Sequence, residues 1–371
     1  MAQHLGLRSK FFYPIISPLL ISIFILTGCS SEYSAVGPRL EGSASITGGA
    51  MLLMAGMPGG KGTSDGIGTF ARFNSPRGIV AYGDTLYVAD QNNHTIRKID
   101  IPTRDVTTIG GYPERPGVDD GIGMNARFRS PEGITTDGIY LYVADTQNHA
   151  IRKIDIGTGN VVTLAGRRGQ YGAVDGAGKN AMFRGPTALT LLGNFLYVAD
   201  SDNHAIRRVD KTSGDTVTIA GSPGSTGSAD GIGTSARFYF PLGLTTDGRY
   251  LYSADTFNNI IRRLDPEVGE VITLAGKPGE ADYKDGLLTG ALFYYPYGIT
   301  MQGSELYVTE PFYDTVRVIH LSTGTVYTLA GTFAISGSAD GPVGTGQFTS
   351  PIDITAVGDY MYLIRRTILY I

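Results

Sequence analysis

The chain has 371 residues and a formal net charge of −4, which gives no reason to expect nucleic acid as a partner. Charged residues make up 17% and hydrophobic residues 42%, with 22 Tyr and 15 Phe. This composition excludes a disordered or coiled-coil chain and suffices for a large core. The single Cys excludes an internal disulfide and a cysteine-rich metal site.

Residues 1–28 are typical of a secretory signal peptide. Arg8 and Lys10 form its positive region, and an apolar region follows at residues 11–26. Pro14 and Pro18 interrupt the apolar region, so it is too short and too broken to span a bilayer as a helix.

The only Cys follows directly after Leu26-Thr27-Gly28, a string that resembles the lipobox of bacterial lipoproteins. The resemblance implies that Cys29 is lipid-modified and becomes the mature N-terminus. By the same resemblance, the absence of Asp after the Cys favours the outer membrane. Residues 29–45 then form the lipidated Cys and a Ser/Gly-rich flexible tether. The alternatives are a plain membrane anchor and a soluble secreted protein with a chance Cys.

Three sets of residues recur every 55 positions without an insertion, which indicates six copies of one structural unit. They are a proline, an Asp followed by Gly, and a separate glycine: Pro76, Pro131, Pro186, Pro241, Pro296 and Pro351; Asp65, Asp120, Asp175, Asp230, Asp285 and Asp340; Gly56, Gly111, Gly166, Gly221, Gly276 and Gly331.

Each unit contains four short apolar runs rich in β-branched and aromatic residues. In the first unit they are at residues 78–81, 86–89, 96–99 and 106–109. Four short strands per unit, repeated at a fixed period, predict an all-β fold, a β-propeller. The last unit lacks a fourth run after residues 367–371, and residues 47–55 match that strand. We therefore predict one domain at residues 46–371. It is a six-bladed propeller of four-stranded blades, closed by pairing the N-terminal strand into the last blade.

Residues 86–97 read Leu-Tyr-Val-Ala-Asp-Gln-Asn-Asn-His-Thr-Ile-Arg and resemble the NHL repeat family. The motif recurs at residues 141–152, 196–207 and, more loosely, 251–262. The fifth copy has Glu310 and Asp314 in place of the Asp and His, and the sixth has Arg365 in the Asp register. The resemblance implies a six-bladed propeller that acts as a binding and scaffold module, although a few relatives are enzymes.

Two kinds of connection share one face of the predicted ring: the long links that precede each marker proline and the Asp-x-x-Asn-His turns. We expect this long-loop face to be the functional surface, because long loops carry function more often than tight turns.

The recurring turn residues lie on different blades, too far apart to share one ion. They are therefore interpreted as turn-stabilising: Asp90, Asp145, Asp200, Asp255, His94, His149 and His204. Recurring arginines such as Arg97 are expected to pair with carboxylates of neighbouring blades.

The residue after each marker proline should face the mouth of the central channel. These residues are Arg77, Glu132, Thr187, Leu242, Tyr297 and Ile352. Six-bladed lactonases and lyases place metal-binding residues there. Only Glu132 is acidic, with Asp353 one position beyond Ile352, which is too few oxygen ligands for Ca²⁺. We predict no metal, no cofactor and no catalytic residue. A metal-dependent hydrolase or lyase with Glu132 and Asp353 as ligands is the alternative.

The fourth and fifth units add aromatic residues to the long-loop face, and either a binding surface or a local core beneath the loops would explain them. With Arg77 and Glu132, the predicted binding residues are Tyr239, Phe240, Tyr294, Tyr295, Tyr297, Phe312 and Tyr313. The sequence thus predicts a monomeric, lipid-anchored propeller of the cell envelope that binds an unidentified protein or small ligand. A structural spacer without a dedicated ligand is a third possibility.

Overall fold

A computed structural model describes residues 23–27, 50–57, 60–333, 335–337 and 347–365. The predicted signal peptide and tether, including Cys29, fall outside these ranges except for Ile23–Thr27. Short 3₁₀ turns connect the strands, and the described ranges contain no helix long and apolar enough to cross a bilayer. The turns are Gly68–Phe70, Gln91–Asn93, Gly123–Asn125, Thr146–Asn148, Gly178–Asn180, Ser201–Asn203, Gly233–Ser235, Thr256–Asn258 and Leu288–Gly290.

Two strands precede the blades, β1 (Ile23–Thr27) and β2 (Ala50–Ala55). Blade 1 contains β3 (Gly66–Ile67), β4 (Pro76–Tyr82), β5 (Thr85–Asp90), β6 (Thr95–Asp100) and β7 (Asp105–Gly110). Blade 2 contains β8 (Gly121–Ile122), β9 (Pro131–Thr136), β10 (Tyr140–Asp145), β11 (Ala150–Asp155) and β12 (Asn160–Ala165). Blade 3 contains β13 (Pro186–Leu192), β14 (Phe195–Asp200), β15 (Ala205–Asp210) and β16 (Thr216–Gly221).

Blade 4 contains β17 (Gly231–Ile232), β18 (Pro241–Thr246), β19 (Leu251–Asp255), β20 (Ile260–Leu264) and β21 (Glu270–Gly276). Blade 5 contains β22 (Gly286–Leu287), β23 (Ile299–Gln302), β24 (Glu305–Glu310), β25 (Thr315–His320) and β26 (Thr325–Ala330). Two strands follow, β27 (Pro351–Val357) and β28 (Tyr360–Arg365). Neighbouring strands of each blade are antiparallel, and the two-residue strands of blades 1, 2, 4 and 5 pair with the outermost long strand.

The predicted ring of six four-stranded blades is wrong. The structure has five blades, four with five strands and one with four, and the remaining sheet is not a sixth copy of the repeat. This closing sheet has the order β2-β1-β28-β27, so β2 pairs with β1. Residues 367–371, the predicted third strand, lie outside the described ranges. The 55-residue spacing gives the number of copies of the unit in the sequence. A complete blade also needs the Asp-x-x-Asn-His turn, which leads into its third strand. The sixth copy has lost that turn, and a segment from outside the repeats occupies the third position.

The innermost strands β4, β9, β13, β18, β23 and β27 contact one another in this order, and β27 returns to β4. The hydrophobic core lies between adjacent sheets, where the second strand of each blade is buried on both faces. This explains why the Leu-Tyr-Val-Ala runs do not alternate with polar residues. At Gly78, Gly133, Gly243 and Gly298, a Cβ atom would collide with a carbonyl group of the next sheet, so the inner strands approach closely there.

Each blade is also joined to the next by one side chain of the Asp-x-x-Asn-His turn. His94 is in the left-handed conformation, and its Nδ1 accepts the backbone N–H of Ser130 at 3.1 Å. The same bond recurs from blade to blade with His149 and Gly185 (3.1 Å), His204 and Phe240 (3.3 Å), and Asn259 and Tyr295 (2.9 Å). Asp314 and Ser350 (2.7 Å) join blade 5 to the closing sheet in the same way. The turn residues therefore hold neighbouring sheets in register, and the contacts confirm their structural role.

The three histidine links predict a pH dependence of stability. Burial disfavours the charged imidazolium and so lowers the pKa of His94, His149 and His204 below the usual 6.5. In addition, Nδ1 must stay unprotonated to accept its hydrogen bond. Between the lowered folded-state pKa and 6.5, the unfolded chain binds more protons than the folded chain. The histidines therefore reduce the free energy of unfolding as the pH falls through this window. Urea denaturation at pH 8 and pH 5 measures the effect.

The triple variant His94→Asn, His149→Asn and His204→Asn is the matched control, because Asn259 already makes this link in blade 4. It should fold and lack the histidine part of the pH dependence, while the carboxylates shared by both proteins titrate alike. Equal pH slopes for the parent and the triple variant would contradict the assignment.

Candidate functional site

The long-loop face is held by a buried arginine in the third strand of each blade. Arg97 donates to Asp90 of the turn (2.9 Å) and to Asp65 of the preceding long link (2.7 Å). It also donates to the backbone carbonyls of Arg72 and Ser64, and its guanidinium lies 4.9 Å from the centre of the Phe73 ring. Arg152, Arg207, Arg262 and Arg317 repeat the carboxylate contacts. The prediction of carboxylate partners is confirmed, but they belong to the same repeat unit and not to a neighbouring blade.

The turn and the long link lie side by side, as the sequence predicts for a shared face. In blade 1 the backbone N–H of Asn92 donates to the carbonyl of Asn74, and Asp90 accepts the N–H of Asn74 at 2.8 Å. Removal from water raises the pKa of Asp90 to about 6, while the charge of Arg97 and the donated hydrogen bonds oppose that rise. These carboxylates are therefore part of the frame on which the variable residues are displayed.

Five of the six predicted mouth residues line the channel: Arg77, Glu132, Thr187, Leu242 and Tyr297. Ile352 does not, because its side chain packs into the hydrophobic core. Asp353 lines the channel instead. It stands where four blades have glycine, and its carboxylate accepts the backbone N–H of Ile79 at 3.0 Å, which joins the closing sheet to blade 1.

A hydrogen-bonded chain crosses half of the channel mouth. The guanidinium of Arg77 donates to the Tyr297 hydroxyl and, through Nε, to Oε1 of Gln91 at 3.3 Å. Nε2 of Gln91 donates to Glu132 at 2.8 Å. Removal from water raises the pKa of Glu132, and the charge of Arg77 opposes this. The mouth residues therefore bind one another across blades 5, 1 and 2.

The channel cavity has a volume of about 120 Å³. Pockets for small ligands and substrates are usually about 300–1,000 Å³. The channel therefore has room for a few water molecules or a small ion. A lactone-sized substrate would not fit beneath the hydrogen-bonded side chains at the mouth.

The metal-dependent alternative required ligands in this channel. The structure brings Glu132 and Asp353 to the wall of the same cavity. Within the described ranges, however, no group of three or more His, Cys, Asp or Glu side chains is placed to hold a metal ion. Glu132 is bound to Gln91, and Asp353 to the N–H of Ile79. The donor set does not fit Ca²⁺, which takes six to eight oxygen ligands, or a three-residue Zn²⁺ site.

The largest departure from the repeated frame is a continuous arc of aromatic rings on the long-loop face of blades 4 and 5. We call it the aromatic arc; its members are Tyr239, Phe240, Phe257, Tyr283, Tyr294, Tyr295, Phe312, Tyr313 and Phe333. Phe257 joins the two blades, because its ring centre lies 5.2 Å from those of both Tyr239 and Tyr295. The contacts continue to Phe312 (5.3 Å from Tyr295) and to Phe333 (4.5 Å from Tyr313).

The aromatic arc has a half-buried base and an exposed crest. Phe240, Tyr294, Tyr295 and Tyr313 form the base. The crest is exposed to different extents: Phe312 66%, Phe333 43%, Phe257 41% and Tyr239 36%. The arc therefore combines the two arrangements that the sequence leaves open, local packing below and an apolar surface above.

Six of the seven predicted aromatic residues belong to the arc, and Tyr297 lies apart at the channel mouth. Sequence reasoning missed Phe257, Tyr283 and Phe333. A signal for Phe257 was available, since it lies one repeat period before Phe312. Tyr283 and Phe333 follow no such spacing, and only the packing of the long links brings them to Tyr313.

Comparisons with known proteins agree with this architecture. A family model for the LVIVD repeat matches residues 75–101 and 187–205. NHL repeat-containing protein 2 of Bos taurus is 28% identical over 323 residues, covering 77% of this chain and 44% of that protein. The chain resembles NHL-repeat propellers. It spans less than half the length of this curated relative.

Two solved structures from Bacteroides share the fold. A structural genomics protein of unknown function from Bacteroides thetaiotaomicron has a TM-score of 0.64 and 18% identity, covering 92% of this chain and 90% of the other. An auxiliary nutrient binding protein from Bacteroides ovatus has a TM-score of 0.59 and 16% identity, covering 92% and 76%. At these identities the likeness extends to the fold alone.

We predict that the purified protein contains no stoichiometric Ca²⁺ or Zn²⁺, because the channel carboxylates already accept hydrogen bonds and no third His, Cys, Asp or Glu among the described residues joins them. Elemental analysis after dialysis against each ion measures this. The variant Glu132→Gln, Asp353→Asn is the control for any bound metal. One ion per chain that is lost in this variant would contradict the prediction and restore the hydrolase or lyase alternative.

Proposed function

We propose that this protein is a binding and scaffold module of the cell envelope, held to the membrane by lipid at Cys29, and that the aromatic arc docks its partner. One observation carries the proposal: Phe257, Phe312 and Phe333 expose apolar rings on the face with the long loops, and the tyrosines at the base of the arc connect them. Exposed apolar patches of this kind mark interaction sites, and aromatic residues, phenylalanine included, are enriched at protein interfaces.

The fold does not require these rings. At the position of Phe257 and Phe312, blades 1, 2 and 3 have Asn92, Gln147 and Asp202, and the same turn forms in each. The rings of blades 4 and 5 were therefore added to a frame that is complete without them. The channel is too small for a ligand of ordinary size, so the outer surface of the long-loop face is the better candidate for binding.

One solved structure with the same fold is that of a binding protein, which is consistent with a binding role here. The protein from Bacteroides ovatus is described as an auxiliary nutrient binding protein, and it shares the fold at low identity. We take this as a precedent for a propeller that binds, and the choice of the aromatic arc rests on the geometry of this chain.

The topology supports an anchor at the opposite face. β2 begins at Ala50, and its other end leads into the long link at Gly56. Ala50 thus lies at the end of the closing sheet that is far from the long loops. Because lipidation at Cys29 would remove residues 1–28 and β1 with them, the predicted tether would join Cys29 to the closing sheet at this end of β2. A lipid at Cys29 would place the short-turn face toward the membrane and leave the aromatic arc accessible.

Site-specific cross-linking tests the docking surface. We expect a photo-reactive benzoylphenylalanine at position 312 to give a discrete adduct in cells that produce the protein, because this ring is exposed at the crest of the arc. Phe70, 77% exposed on the outer edge of blade 1, is the matched control position. Equal labelling at positions 312 and 70, or an adduct at 312 that persists after Phe257→Ser and Phe333→Ser, would contradict the proposal.

Cell fractionation tests the anchor. The variant Cys29→Ala should move the protein from the membrane fraction to the soluble fraction, since the acyl chains supply the membrane affinity. Ser30→Ala keeps the Cys and should remain in the membrane fraction. Retention of Cys29→Ala in the membrane would contradict lipidation at this residue without bearing on the aromatic arc.

A further inference from the structure

The long-loop face is divided into a basic part and an aromatic part at equivalent positions of the repeat. Two residues before each marker proline stand Asn74, Arg129, Arg184, Tyr239, Tyr294 and Thr349. Blades 2 and 3 therefore present arginine at the position where blades 4 and 5 present tyrosine. The rest of the repeat frame is shared, so this difference belongs to the surface and not to the fold.

The arginines are available to a partner. Arg129 is exposed and makes no ion pair with any residue that the structure describes. Arg184 is exposed as well, and its Nε lies 4.0 Å from a carboxylate oxygen of Asp202, at the limit of an ion pair. The charges of Arg129 and Arg184 exceed that of Asp202, so these three residues leave a positive net charge on this part of the face. Such a surface favours an acidic partner.

The basic and aromatic parts are contiguous. His149 lies between the two arginines: its Nδ1 accepts the N–H of Gly185, the residue after Arg184, and the N–H of Gln147 in the same turn donates to the carbonyl of Arg129. Asp202, which Arg184 approaches, belongs to the turn that ends at His204. The ring of His204 lies 5.8 Å from Tyr239 and 4.8 Å from Phe240, at the start of the arc. One ligand can therefore contact both parts without crossing a gap of unrelated surface.

The chemistry of the crest favours a protein over a carbohydrate. Three of its four rings are phenylalanine, which has no hydroxyl group to bond a sugar. The carboxylates beneath the rings are already used, because Asp255 binds Arg262 (3.0 Å) and Glu310 binds Arg317 (3.0 Å). A hydroxyl-rich ligand needs free donors and acceptors beside the rings, whereas large apolar side chains need only the rings.

We propose that the partner is a protein that docks an extended segment on this face, with large apolar side chains on the aromatic arc and carboxylates beside Arg129 and Arg184. The inference rests on the proposed role of the arc and specifies its partner. Phe257 and Phe312 anchor the segment by burying apolar surface, while the two arginines set its direction and its charge preference.

Selection from a phage library of random dodecapeptides, using the purified protein as bait, tests this inference. Enriched peptides should combine aromatic or aliphatic residues with Asp or Glu.

A synthetic copy of the most enriched peptide is then titrated with the protein, and its binding is measured by fluorescence anisotropy. We expect about tenfold weaker binding or more for Phe257→Ser, Phe312→Ser and for Arg129→Glu, Arg184→Glu, each loss corresponding to about 1.4 kcal/mol or more. The control variants Phe70→Ser and Arg249→Glu, also exposed but outside this surface, should bind like the parent.

The arginine variant provides a second criterion, because selection repeated on it should enrich Lys and Arg in place of Asp and Glu. Enriched peptides without acidic residues, or binding unchanged in the arginine variant, would overturn the inference and leave the proposed docking function standing. Failure to enrich peptides above the Phe257→Ser, Phe312→Ser bait also overturns it. Arc-dependent binding of oligosaccharides on a glycan array, with no peptide binding, would show a carbohydrate ligand instead. If the peptide binds the Phe257→Ser, Phe312→Ser variant as tightly as it binds the parent, the proposed docking function of the aromatic arc itself is contradicted.

Discussion

The long-loop face depends on one buried interaction, the arginine that joins the turn and the long link of each blade. Arg97 is removed from water together with Asp90, and breaking such a pair by removing one partner typically costs about 3–5 kcal/mol. The same guanidinium contacts Asp65 and two backbone carbonyls of the link. A link of about twenty residues, whose only regular elements are the two-residue strand β3 and a 3₁₀ turn, is thereby held in one geometry. The residues that it displays become a preorganised surface.

The second constraint is the joint between neighbouring sheets. Sheets packed face to face by apolar side chains could slide, because hydrophobic contact has little directionality. The hydrogen bond from each turn residue to the next blade fixes the register, and the close approach at residues such as Gly78 fixes the spacing. Asp353 makes an equivalent joint where the repeat is incomplete, and its enclosure at the channel wall raises its pKa to about 7. The carboxylate that looks like a metal ligand in the sequence is thus part of the ring closure.

The proposed function rests on departures from the repeated frame. His204 and Asn259 perform the same structural task with different side chains, whereas Arg184 and Tyr239 occupy equivalent positions and present different chemistry to solvent. The frame tolerates this variation because its own hydrogen bonds are made by backbone groups and buried side chains. The aromatic arc and the adjoining arginines therefore form one asymmetric surface on a nearly symmetric support.

The sequence by itself determined the propeller class, the strand order within a unit and the face that bears the long links, because a strict period and short apolar runs allow few other folds. It also located six members of the aromatic arc. The number of blades, the composition of the closing sheet and the mutual binding of Arg77, Gln91, Glu132 and Tyr297 were decided only by the tertiary structure. The physical reason is that a sequence period gives only the number of repeat copies along the chain. Strand pairing at the closure, the size of the channel and the contact of Tyr283 and Phe333 with Tyr313 depend on which distant segments meet in space.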